Sequence, residues 1–108
     1  MTDASSPDQP PVDPARGPVI EVNLDEQTAQ GLYSNLVISN YSQEEFLLDF
    51  LFLQPQSNKG KVRSRVIMTP ANAKRLAVAL DTLVRDYESK FGVLKDNRLG
   101  PDVRFSIN

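Results

Sequence analysis

The sequence predicts an α+β domain: a four-stranded antiparallel sheet in meander order, followed by one long C-terminal helix packed on one face. Three observations carry this. Four segments between residues 18 and 68 alternate or repeat apolar side chains at strand spacing. A turn signal separates each from the next. A single stretch of helical period then runs to residue 92, bounded by recognisable start and stop residues. A chain of 108 residues suffices for one small domain. With 40% hydrophobic and 24% charged residues, its composition is that of an ordinary soluble globular protein.

Residues 1–17 are rich in Pro, Asp, Ser and Gln, with little to bury, and read as a disordered N-terminal tail. The α+β domain spans 18–92. In PVIEVNL (18–24), Ile20, Val22 and Leu24 alternate with Val19, Glu21 and Asn23, the pattern of a short half-buried strand. DEQTAQG (25–31) is a polar connection or one loose helical turn. LYSNLVISNYS (32–42) forms the second strand and Asn40 to Glu44 its turn. EEFLLDFLFLQ (44–54) is the third, with Phe46, Leu48, Phe50 and Phe52 on one face and Leu47, Leu51 and Leu53 on the other. KGKVRSRVIM (59–68) is the fourth. Its Val62, Val66 and Met68 face one way, and Lys59, Lys61, Arg63 and Arg65 form a cationic row the other way.

The helix follows. Thr69 suits the N-cap, Pro70 the first helical position and Gly92 the position after the last turn. Ala73, Leu76, Ala77, Leu80, Leu83, Val84, Tyr87 and Phe91 recur as one apolar stripe. Residues 93–108 keep several apolar side chains around Gly100-Pro101 and form a C-terminal extension, partly docked or adding a short strand.

Residue types exclude much chemistry. There is no cysteine, histidine or tryptophan. Disulfides, the usual zinc sites, Ser–His–Asp and Cys–His nucleophiles and a histidine acid/base are therefore ruled out. No Gly-rich phosphate loop occurs. The pairs Glu44-Glu45 and Asp25-Glu26 diverge as neighbours and read as solvated or cross-strand to a cation. Asp96, Asn97 and Asp102 lack the spacing of a calcium loop. The expectation is a non-enzyme without cofactor or metal. No apolar run approaches the roughly 20 residues of a membrane span, and the N-terminus has no basic start or apolar core, so the expected location is the cytoplasm.

The doubly apolar third strand points to self-association. One helix covers one face of a sheet, which leaves Leu47, Leu51 and Leu53 on the other. Burying a leucine stabilises by about 1.5–3 kcal/mol, so a surface patch of three is costly and marks an interface. The expected partner is a second copy, as a homodimer or higher oligomer, with another protein as a further partner. The alternative is that residues 93–108 fold back over the patch. Asp49, among these leucines, lies at the rim or pairs with an arginine of the fourth strand or of a partner chain.

The cationic row admits two readings. Residues 59–92 carry eight bases against three acids, although the whole chain has a net charge of −2. On an edge strand such cations discourage aggregation. They also suit phosphate contact by a sheet face, with Lys74 and Arg75 extending the charge and Tyr33 or Tyr41 as stacking surfaces.

Several short pieces carry a resemblance: Tyr33-Ser34-Asn35, Glu45-Phe46 with Asp49-Phe50, and Ser64-Arg65-Val66 followed by Met68, Pro70, Ala73, Lys74 and Leu76. Together they make most of 19–92 resemble a small prokaryotic family, domain of unknown function 3467. The resemblance implies no established activity and no catalytic residue. The plan of four strands and a helix is similar in outline to subunits of the SecB-type export chaperone, and to single-strand-binding transcription cofactors that dimerise through sheet and helix. Fold alone does not choose between such roles. The function expected is that of a non-enzymatic, adaptor-like or chaperone-like homo-oligomer, with nucleic-acid binding through the basic strand as the alternative.

Overall fold

The most apolar segment of the chain lies at the centre of its sheet. The computed structural model describes residues 12–13, 17–95 and 103–107, and the chain divides into two units, Met1–Tyr33 and Ser34–Asn108.

In the first unit, β1 (Val12–Asp13) pairs antiparallel with β2 (Gly17–Pro18). The expected tail over 1–17 otherwise lies outside the described residues. The expected strand over 18–24 does not form: residues 19–24 have no regular structure, and Ile20, Val22 and Leu24 are exposed. Alternation describes which way side chains would point, but a strand also needs a neighbour for its N–H and C=O groups. The polar connection contains one helical turn, α1 (Glu26–Ala29). Asp25 caps it, its carboxylate accepting from the Thr28 N–H at 3.3 Å; hydrogen bonding from the Thr28 side chain, and then from this N–H, holds the Asp25 carboxyl below the usual carboxylate range.

The second unit holds β3 (Leu36–Tyr41), β4 (Phe46–Leu53) and β5 (Gly60–Met68), ordered β3-β4-β5 with both pairs antiparallel. Among the described residues the main sheet thus has three strands rather than four. Two tight turns set the meander. At the first, the Ser42 N–H donates to the Glu45 carbonyl at 2.8 Å, and the Ser42 hydroxyl oxygen accepts from the N–H groups of Glu44 and Glu45. At the second, the Gln54 N–H donates to the Lys59 carbonyl at 3.1 Å.

Ser34 and Asn35 extend the β3–β4 pairing with side chains. The Asn35 amide donates to the Leu53 carbonyl at 3.0 Å and accepts from the Leu53 N–H at 2.8 Å. The Ser34 hydroxyl donates between the carbonyls of Leu51, at 2.8 Å, and Leu36, at 3.0 Å. Polar residues ahead of β3 thereby satisfy the backbone at the end of β4.

A bulge in β5 reorganises the faces. Phe50 pairs with Ser64 and Leu51 with Val62, so Arg63 is an extra residue with no opposite partner. Residues on either side of it swap faces relative to simple alternation. Val62 therefore shares a face with Leu51, whereas Val66 and Met68 share the opposite face with Leu48 and Phe46.

The helix α2 (Pro70–Phe91) has the predicted bounds. The Thr69 hydroxyl accepts from the Asn72 N–H at 3.2 Å, Pro70 opens the first turn, and Gly92 at φ +100° takes a conformation other residues avoid. Ion pairs Asp81–Arg85 and Asp86–Lys90 lace the polar side one turn apart. The expected packing of this helix on its own sheet does not occur. Over 77–91 every residue but Glu88 is exposed, with Leu83 at 63% and Phe91 at 72%. The cause lies in the connection: only Thr69 separates β5 from α2, and its extended backbone (φ −69°, ψ 155°) gives the chain no loop in which to reverse. Among the described residues only Leu51 and Asp49 are buried.

Candidate interaction surfaces

Three surfaces follow from this geometry: the leucine face of β4, the cationic rim of β5, and the stripe of α2.

On the leucine face, Leu51 is buried and Leu47 and Leu53 are half-buried. Residues 103–107 flank one hollow together with Ile38, Leu51, Leu53, Ser57 and Asn58. The C-terminal segment therefore comes back beside this patch, as the fold-back alternative anticipates; of the extension 93–108, residues 96–102 and 108 lie outside the described residues. Asp49 stands in the middle of the same face. Arg65, directly opposite on β5, binds both carboxylate oxygens, Nε to Oδ1 at 2.6 Å and Nη2 to Oδ2 at 2.9 Å. These hydrogen bonds hold the Asp49 carboxyl below the usual carboxylate range against the opposing effect of burial, and they raise the Arg65 guanidinium further above its ordinary value. Of the placements open to Asp49, at the rim or paired with an arginine of the next strand or of a partner chain, the arginine of the next strand is the one adopted.

The cations do not form a single row. Alternation across 59–65 would put all four on one face, but the bulge at Arg63 breaks it. Arg65 turns to the leucine face and is occupied by Asp49. Lys59, Lys61 and Arg63 instead gather around a hollow with Phe52 and Gln54 at the far end of the sheet. Lys74 and Arg75 lie on the first turns of α2, where they line a different hollow with Ala71, Val78 and Ala79. The charge thus falls into separate patches. Sequence alternation contains no signal for the bulge, because an added residue leaves the alternation itself intact.

The third surface is the stripe that the sequence predicts to pack on one face of the sheet. Leu80, Leu83, Val84, Tyr87 and Phe91 instead face solvent along about three turns. The rings of Tyr87 and Phe91 touch at the end of the stripe, 5.0 Å apart between centroids. On the sheet, the face opposite Asp49 carries Phe46, Leu48 and Phe50 at its centre, with Val37, Tyr41 and Val66 exposed on the outer strands. Tyr41 stacks on Phe46 at 5.6 Å.

Among the described residues, no three acidic side chains stand close enough to hold a metal ion, and no helix is long and apolar enough to cross a membrane. Residues 1–96 match the model of a family described as protein of unknown function (DUF3467). No curated protein and no solved structure matches the chain.

Proposed function

From the premise that the chain belongs to the DUF3467 family, we propose that it is a non-enzymatic interaction protein that works as a homo-oligomer in the cytoplasm. One observation carries this reading: the 22-residue helix α2 has no buried residue, yet its apolar side chains fall on one stripe. Most helical stability in proteins comes from packing such a stripe, not from propensity. A helix left in this state requires a partner surface. The oligomer presents its cationic and polar rim to a further protein, in the manner of an adaptor or a SecB-like chaperone. Sedimentation equilibrium at micromolar concentration tests the reading. A dimer or larger species supports it, and a monodisperse monomer contradicts it.

A second reading draws on the cluster of Lys59, Lys61 and Arg63 around Phe52. Cations beside an aromatic ring suit a single-stranded nucleic acid, with phosphate held by charge and a base by stacking. Here Arg65 plays no part, since Asp49 engages it, and Lys74 and Arg75 form a separate contact. Fluorescence anisotropy of labelled oligonucleotides at about 50 and 200 mM salt tests it, because phosphate-driven binding collapses over that range.

A further inference from the structure

We propose that two copies exchange their C-terminal helices: α2 of each lies across the Phe46–Leu48–Phe50 face of the other's sheet, with Thr69 as the hinge. This rests on the self-association reading above and names its geometry.

The argument begins at the hinge. A chain that folds a helix back onto its own sheet needs a connecting loop of about two to six residues. Here β5 ends at Met68 and α2 begins at Pro70. Thr69 is extended, and Pro70 restricts the residue before it to that same region. The junction is therefore stiff as well as short. Short, stiff hinges favour exchange of an element between copies over closure within one.

Complementarity names the occupant. The stripe of α2, from Ala73 to Phe91, is about 28 Å long, and the central strand β4, with eight residues, spans about 27 Å. The sheet face it would meet is the aromatic and aliphatic one, edged by exposed Val37, Tyr41 and Val66. The leucine face is the weaker candidate, because it centres on the Asp49–Arg65 pair and is flanked by residues 103–107. Reciprocal placement about a two-fold axis satisfies both copies at once, the isologous arrangement of most homodimers.

The test inserts a Gly-Ser linker of about four to six residues between Thr69 and Pro70. Light scattering and the helical circular-dichroism signal are then compared with wild type. The expected result is a dimeric wild type, and a variant that keeps its helix but dissociates at tenfold or more higher concentration, because the helix now closes on its own sheet. An extended-hinge variant with unchanged dimer affinity overturns the exchange while leaving self-association standing. A wild-type monomer with full helical signal overturns both.

Cross-linking covers the case in which the inserted chain fails to fold. The protein has no cysteine, so differently tagged Leu83→Cys and Val66→Cys chains are mixed and treated with an added oxidant. Predominance of the mixed disulfide supports the exchange. Predominance of like-with-like species, or no cross-link at all, overturns it.

Discussion

Arg65 reaches across from β5 and holds both carboxylate oxygens of Asp49, one of the two buried residues among those described. The pair has a direct pH consequence. The Asp49 carboxyl titrates lower in the folded chain than in the unfolded one, chiefly because of the Arg65 hydrogen bonds. Its contribution is therefore complete above the unfolded value, about 3.9, and is lost as pH falls through the folded value below it. Thermal unfolding followed from neutral pH down to about pH 3 should show a decline in midpoint that begins near pH 4. Asp49→Asn should lower the midpoint at neutral pH and flatten the acid decline. An unchanged acid profile in that variant would show that other carboxylates set it.

Asn35 makes two hydrogen bonds to the backbone of Leu53, and no strand residue replaces them. Asn35→Ala should cost about 0.5–1.5 kcal/mol, the net worth of hydrogen bonding at a solvent-exposed site. Urea denaturation reads it as a lower midpoint with an unchanged slope. Leu51→Ala, at the one buried apolar position among the described residues, should cost more, about 2–5 kcal/mol.

Charge reversal should separate the cations into two classes. Lys61→Glu with Arg63→Glu should shift stability by no more than about 0.5 kcal/mol, as exposed positions do, while abolishing any salt-sensitive oligonucleotide binding. Arg65→Glu should instead destabilise the chain by setting a second carboxylate against Asp49. Equal effects of the two changes on stability would contradict the placement of Arg65 on the other face.

The helix cap offers an independent check. Thr69→Ala removes the acceptor for the Asn72 N–H and should cost about 1 kcal/mol. A loss of helical signal at low concentration larger than at high concentration would tie the helix to association, since a partner stabilises only the bound form.

What was legible in the sequence follows from which features are local. The bounds of α2 were written in Thr69, Pro70 and Gly92, because capping is settled within a few residues. β4 is legible as an interior strand of the meander, with apolar residues on both faces, and it lies between β3 and β5. The helix's distance from its sheet was not legible from its stripe, which specifies that a surface is buried but not whose surface covers it. The segment 18–24 has the alternation of a strand, but beyond Pro18 its residues 19–24 have no neighbouring strand among the described residues. The bulge at Arg63 is not legible, because the alternation of the sequence runs unbroken through it, and the single cationic row which that alternation predicts does not form.

The most direct test of self-association through α2 is a dilution series from about 100 μM to well below 1 μM, the range over which micromolar to submicromolar dimers dissociate. Sedimentation and helical circular dichroism are recorded on the same samples. If the helix depends on a second copy, mass and helical signal fall together with a common midpoint. A monomer that keeps its full helical signal throughout the series would contradict the account.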